Sequence, residues 1–466
     1  MSDVGLDEVL DWFFRVSEIP RTSGNEKTIS DTLRDHYERK GLDVLQDEAW
    51  NLLIRKPAHA GQGDRPGLIL QAHLDMVGEK TSESCHDFAT DPIQIVRDGD
   101  VLHAQDTALG ADDGIGVAIC LALLDSEDVH HPDLEILLTT QEETGLVGAK
   151  ALTGVSLRGQ YFLNIDGERE GVFLCSGAGG STVEVSFPLA EASHTDNVWE
   201  LRVRDLRGGH SGLDIDKGRI NGIAAVAVLL VKIPDIRVAF FNAPGKFNAI
   251  NREVHLVFST QCDFSVAYEE WWKSIAAAEP DASASLARMG PAACQSSSWT
   301  RRLLEFLASA DPGVREMSSS LVGVVETSSN LGLVEQDELE MKITASVRSS
   351  SARGRHDVET QLEKLAAQSG GRVQISGSYP AWEYQTENPL REQAAQIYSD
   401  LFHKAPLITG VHGGLECGVL HEKYPELPML ALGPSIADAH TPRESVSIPS
   451  IEKLLQLVLA TVERIK

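Results

Sequence analysis

Short apolar runs of strand length recur between helical segments through the first third of the chain, and each ends in a loop bearing acids or histidine. Such runs lie at 67–72, 134–140 and 161–165. A strand with almost no polar face must be covered on both sides, and helices alternating with such strands do this in a mostly parallel sheet. The expected fold class is therefore α/β. Apolar residues at helical spacing predict a helix over 6–16, a second helix starts near Ser23-Gly24-Asn25-Glu26 and continues over 27–40, and the Gly- and Ala-rich segment 114–124 predicts a closely packed one.

The pattern changes after about residue 186. Segments at 199–203 and 254–258 alternate apolar and polar residues, as half-exposed antiparallel strands do, with a strongly apolar helix at 220–232 between them. A second copy of similar pattern follows, with strands at 331–334, 339–347 and 372–376 and a helix at 358–368. From 385 the first pattern returns: helix 389–403, strands 406–411 and 429–433, closing helix 447–465. The expected organisation is a catalytic sheet domain made of 1–186 and 385–466, interrupted by a two-lobed α/β insertion at 187–384. The Ala/Ser-rich stretch 276–298 predicts a surface helix and loop without chemistry.

A chain of 466 residues is long enough for a large core. Its 41 basic and 69 acidic side chains leave a net charge of −28, which argues against nucleic acid as a partner, since phosphate binding needs a basic face. Six cysteines without a Cys-x-x-Cys pair read as buried free thiols of a reducing compartment. The acidic start lacks the basic and apolar regions of a signal peptide. No charge-free apolar stretch approaches about 18 residues, so no membrane span is expected. A cytoplasmic location follows.

The chemistry gathers at the strand ends. Run 67–72 leads into His73-Leu74-Asp75, and alternation puts His73 and Asp75 on one face. Thr107–Gly114, with Asp112 and Asp113, leads into the Gly/Ala helix. Run 134–140 leads into Glu142-Glu143, run 161–165 into Asp166-Gly167-Glu168, and run 429–433 into Asp438-Ala439-His440. Ligands of open α/β sheets bind at the carboxyl ends of strands. Taken singly, Asp112-Asp113-Gly114 is a helix cap and turn, Glu142-Glu143 a solvated helix start, Asp166-Gly167 a turn and His440 a surface histidine. Their joint occurrence at strand ends is harder to dismiss. Two imidazoles and three carboxylates suit two divalent ions sharing one carboxylate, with zinc favoured by mixed nitrogen and oxygen donors and manganese or cobalt able to substitute.

The segments His73–Val77, Leu109–Gly116, Glu142–Gly145 and Gly208-Gly209-His210-Ser211-Gly212 resemble the bacterial aminoacyl-histidine dipeptidases. These are carnosinase-type, broad-specificity enzymes of the two-zinc aminoacylase and carboxypeptidase superfamily. The likeness extends to His86-Asp87-Phe88, Asn248-Ala249-Ile250, Val325–Ser328, Tyr379–Trp382 and His412–Gly418, and so covers nearly the whole chain. The resemblance implies that His73 and Asp166 hold one zinc, Glu143 and His440 the other, and that Asp112 bridges both. It implies that Asp75 orients His73, that Glu142 is the general base, and that the peptide bond after Asp112 is cis. Asp113 stands where some relatives have Asn, and is not expected to be a ligand.

The inserted region becomes a lid by the same resemblance. His210 would donate to the carbonyl oxygen of the scissile bond, Asn248 would bind substrate from the same side, and Arg348 and Gly414 would hold its terminal carboxylate. Read from the residues alone, Gly-Gly-His-Ser-Gly is a flexible turn and Arg348 a surface ion pair. The implied activity is metal-dependent hydrolysis of unblocked dipeptides, Xaa-His and β-alanyl-histidine included. The alternatives are a tripeptidase or N-acyl-amino-acid deacylase of the same superfamily, or a non-catalytic binding protein on this fold. Lid size and the His412–Gly418 segment favour the dipeptidase. In dimeric relatives the lid histidine crosses the dimer; two lobes in one chain can mimic that, so a monomer or a homodimer is expected, with His210 acting in cis.

Overall fold

Leu68–His73 and Leu134–Thr139 are buried at every position, and this places them at the centre of an eight-stranded sheet. The computed structural model describes residues 4–152 and 156–466; the first three residues of the acidic amino terminus lie outside the described residues. Two compact units are present: Met1–Ser176, Tyr384–Gly410 and Leu415–Lys466 form the first, Gly177–Glu383 and Val411–Gly414 the second.

In the first unit the sheet runs Asp43–Gln46, Leu52–Lys56, Leu134–Thr139, Leu68–His73, Tyr161–Asn164, Met429–Ala431, Val172–Gly177, Leu407–Val411. The four strands from Leu134–Thr139 to Met429–Ala431 are parallel, while Asp43–Gln46, Leu52–Lys56 and Val172–Gly177 pair antiparallel. The sheet is thus mixed rather than mostly parallel. Its edge strand Asp43–Gln46 alternates exposed and half-buried positions, as one-sided edges do. Helix Ala111–Asp125 is buried along nearly its whole length, because Gly and Ala admit a close approach, and it shares one core with helices Leu6–Ser17 and Ile448–Arg464. Parallel strands end on one side, so the loops after residues 73, 139, 164 and 431 leave the sheet together.

A small sheet that local pattern did not disclose pairs Ile95–Asp98, Val101–Ala104, Ser445–Ser447 and Ile436–Ala437. It holds both ends of the turn that carries His440.

The second unit has its own core and two larger antiparallel sheets, besides two short antiparallel strand pairs. One runs Gly313–Met317, Val325–Gln336, Glu340–Ser349, Gly179–Pro188, Arg372–Tyr379; the other Arg237–Asn242, Val254–Ser259, Val198–Arg204, Ser283–Met289. The Ala/Ser-rich stretch is therefore not a helix and loop: its helix, Ser265–Ala278, comes earlier, and Ser283–Met289 is an edge strand. Small residues there alternate between exposed and half-buried, a period of two that their weak hydropathy hides. All six cysteines are free; Cys120, Cys175, Cys294 and Cys417 are buried, but Cys85 and Cys262 are exposed in polar loops. No helix among the described residues is long and apolar enough to cross a membrane.

Candidate metal centre and substrate cluster

His73 closes its strand, pairs with Thr139 and is 1 % exposed. Its Nε2 lies 3.1 Å from Asp112 Oδ1 and 3.4 Å from Asp166 Oδ1. His440 Nε2 lies 3.1 Å from Asp112 Oδ2 and 2.8 Å from Glu143 Oε1. The two oxygens of Asp112 thus face two different imidazoles, each of which faces a second carboxylate. Asp112 reaches this position from the start of helix Ala111–Asp125, where it and Asp113 leave helical geometry and the bond between them is cis.

The donor set fits metal ions. Ligand atoms about 2.1 Å from a tetrahedral zinc stand about 3.4 Å from one another, close to these separations. Each imidazole Nε2 carries at most one proton and cannot satisfy two carboxylates. Glu143 Oε1 is buried and accepts no hydrogen bond, although His440 is adjacent. The donor atoms of Asp112, Glu143 and His440 form one compact group, and those of His73, Asp113 and Asp166 another. Asp113 is nevertheless engaged: Oδ2 accepts from the His73 N–H at 3.1 Å and Oδ1 from the Gly116 N–H at 3.2 Å.

Electrostatics point the same way. Burial pushes the Glu142 carboxyl well above the usual range, with Asp166, Glu143 and Glu416 adding to it against the pull of His73. Burial and neighbouring carboxylates also raise Asp166, to about 6. His440 is pushed up to about 11 by its contacts with Asp112 and Glu143. Burial opposes ionisation of Asp112, yet His440 and His73 hold it below the ordinary carboxylate range. So many acids in a dry space are a charge imbalance that divalent cations relieve.

Asp75 has a broader part than orienting one imidazole. The His73 Nδ1 is 3.1 Å from the Asp75 backbone carbonyl and 3.5 Å from its carboxylate. The carboxylate itself accepts from the N–H of Glu142 at 2.9 Å, the N–H of Glu143 at 3.2 Å and the Ser23 hydroxyl at 2.7 Å. Ser23 had no role in the sequence reading beyond starting a helix. Glu416 also escaped it, although it lies in the His412–Gly418 segment. Its Oε2 accepts from Gln71 and Thr139, each at 2.6 Å, and burial pushes its carboxyl up to about 8.

In the second unit, sheet register sets Ser328, Arg348, Gly180 and Tyr379 opposite one another on successive strands. Gly180 is required there, since a Cβ would meet the Tyr379 hydroxyl at 2.6 Å. Across that gap Arg348 donates to the Tyr379 hydroxyl at 3.0 Å, while its buried Nε has no partner. Ser328 pairs with His412 Nε2 at 2.7 Å, and Gly414 lies against the Tyr379 ring. His210 sits on the short strand Gly209–His210, paired with Ala249–Ile250. Its Nδ1 accepts the N–H groups of Gly212 and Leu213 at 3.2 and 3.3 Å, which puts the ring proton on Nε2. Burial, with Arg348 adding, lowers its pKa and keeps the ring neutral. The Asn248 carbonyl accepts the Ser211 N–H at 2.9 Å, fixing that residue beside the histidine strand.

Comparison with known proteins gives three likenesses. The cytosol non-specific dipeptidase of Escherichia coli is 34 % identical over 465 residues, 97 % of this chain and 96 % of that one. The crystal structure of an aminoacylhistidine dipeptidase from Vibrio alginolyticus superposes with a TM-score of 0.91 at 32 % identity, covering 98 % of this chain and 96 % of that one. An aminopeptidase PepT from Bacillus cereus shares the fold alone, with a TM-score of 0.58 at 15 % identity over 99 % of this chain and 98 % of its own. The sequence profile of Peptidase family M20/M25/M40 matches residues 69–464. With its strand-end acids and histidines on such a fold, the chain belongs to peptidase family M20/M25/M40.

Proposed function

We propose that this metallopeptidase hydrolyses the peptide bond of unblocked dipeptides, Xaa-His and β-alanyl-histidine among them, at a centre for two zinc ions. The observation that carries the reading is Asp112, whose two oxygens each lie 3.1 Å from a different imidazole. On this reading His73 and Asp166 hold one ion, Glu143 and His440 the other, and Asp112 both. Such ions, when bound, polarise the scissile carbonyl and acidify the attacking water. Manganese or cobalt are acceptable substitutes for this donor set.

The residues supply the rest. Glu142 accepts the proton of the attacking water on its carboxylate and returns it to the leaving amine, a shuttle to which its raised pKa is suited. Asp75 holds Glu142 and Glu143 by their backbone N–H groups, so base and ligand keep one spacing. His210, neutral with its proton on Nε2, donates to the developing oxyanion. Arg348, steadied by Tyr379, pairs with the substrate's terminal carboxylate, a role that suits a planar guanidinium, and Asn248 and Gly414 line the same substrate. The inserted region 187–384, which makes up most of the second unit, is the lid on this reading, and the protein works in the cytoplasm as a monomer or homodimer.

The test is an assay of the purified protein, with and without added Zn²⁺ or Mn²⁺, on dipeptides, tripeptides and acetyl-amino acids. Metal-dependent cleavage of dipeptides is expected; cleavage of none of them overturns the proposal. Glu142→Ala is expected to abolish turnover while the metal content stays at the wild-type level. Mixing His210→Ala and Glu142→Ala chains asks whether His210 acts in cis, in which case no activity returns.

A further inference from the structure

Glu444 follows His440 by four residues and is 2 % exposed. Its Oε2 accepts the N–H groups of Leu109 at 2.9 Å and Gly110 at 3.0 Å; its Oε1 accepts those of Ala111 at 2.8 Å and Asp112 at 3.2 Å. Four consecutive backbone donors wrap one carboxylate. The turn can do this because Gly110 has φ of 70°, and a Cβ there would meet the Arg21 guanidinium at 2.8 Å. Arg21 is 1 % exposed and grips the same turn from its carbonyl side. It donates to the Gly110 oxygen at 2.6 Å and, with its other terminal nitrogen, to the oxygens of Leu74 at 2.9 Å and Asp75 at 3.0 Å.

The geometry points to Glu444 as a positioning residue: with Arg21 it fixes the Asp112 turn between the strand end of His73 and the turn of His440, and so sets the affinity for the shared pair of ions. Asp112 faces both imidazoles from the turn that Glu444 holds. Its side chain is short, and its two oxygens reach two imidazoles borne on segments more than 300 residues apart in sequence. A fixed reference common to the turn and to His440 is the Glu444 carboxylate, four residues from that histidine and bonded to the Asp112 N–H itself. A displacement of the turn changes the distances from Asp112 to both imidazoles at once. The clamp therefore acts on the shared site and not on substrate contacts. This inference rests on the two-ion reading above.

Glu444→Gln keeps the shape but turns one acceptor oxygen into an amide nitrogen that faces two N–H donors; Glu444→Asp keeps both acceptors on a shorter arm. Metal-stripped wild type, both variants and the control Leu124→Ala are titrated with Co²⁺ against a competing chelator. Leu124 is a core residue at the far end of the helix that Asp112 begins, so its variant shows the effect of lost stability alone. In Glu444→Gln the affinity for the second ion is expected to fall about 10- to 100-fold, the range for losing a group that orients a metal ligand. kcat should fall with it and KM stay within about threefold, while Glu444→Asp regains part of both and Leu124→Ala binds like wild type. Wild-type metal affinity in Glu444→Gln, with only thermal stability lowered, overturns the positioning role and leaves the two-ion reading intact. A wild-type protein that takes up a single ion overturns both.

Discussion

Replacing Asp75 by Asn changes one oxygen for a nitrogen of the same size at a position with no solvent exposure. The Asp75 carboxylate accepts three hydrogen bonds, two of them from the N–H groups of Glu142 and Glu143. The amide nitrogen of Asn must take one side. If it faces Ser23, that hydroxyl can turn to accept, but the Glu143 N–H loses its acceptor. If it faces the other way, the Glu142 N–H does. Either way a backbone donor of the Glu142–Glu143 loop meets another donor in a buried space. A hydrogen bond to a charged acceptor is worth about 1.5–3 kcal/mol. At about 1.36 kcal/mol per factor of ten, this corresponds to roughly a 10- to 150-fold loss. The loss should fall on kcat and on retained metal, because the displaced loop carries Glu142 and Glu143, and KM for a dipeptide should move less than about threefold. Steady-state kinetics at fixed Zn²⁺, with metal content measured on the same samples, reads both. An Asn variant with wild-type kcat and full metal would refute the argument that Asp75 holds the loop through these two N–H groups.

Three further outcomes are expected. His210→Ala should lower kcat about 100- to 1,000-fold, the usual effect of losing one oxyanion donor, with metal content unchanged by elemental analysis. Arg348→Ala should lower kcat/KM by about 10- to 150-fold through loss of a charged pair, seen mainly as a higher KM, whereas Tyr379→Phe, which removes only the support at 3.0 Å, should cost about two- to tenfold. Burial, with Arg348 and His210 adding, lowers His412 to about 3 against 6.5 for the free residue. Between those values the unfolded chain binds the extra proton. The stability due to neutral His412 is therefore whole above about pH 6.5 and is lost progressively as pH falls toward 3. Urea unfolding at pH 7.5 and pH 5 should show wild type losing about 2 kcal/mol more than His412→Gln; equal losses would contradict the assignment.

The parallel centre of the sheet was readable because strands buried on both faces leave apolar runs at 67–72, 134–140 and 161–165 that no exposed segment imitates. The edge strands and the second unit were harder. Ser283–Met289 is built of small residues whose alternation carries little hydropathy, and it emerges as a strand only through its pairing with Val198–Arg204. The small sheet that flanks His440 joins residues 95–104 to 436–447, and no local period can announce a pairing over that separation.

The sequence by itself determined which donors are available and where along the chain they fall: His73, Glu143, Asp166 and His440 follow apolar runs, whose parallel strands must send their ends to one side, and Asp112 opens the Gly/Ala helix. What only the tertiary structure decided is how those donors are spaced and held. The ring proton of His210 on Nε2, the Glu142–Glu143 loop hung on Asp75, and the Asp112 turn wrapped around Glu444, from which Asp112 faces two imidazoles, all depend on hydrogen bonds to backbone groups. Backbone N–H and C=O groups are the same at every residue. Their partners are chosen by three-dimensional proximity, so the composition of the site could be read from the chain while its geometry could not.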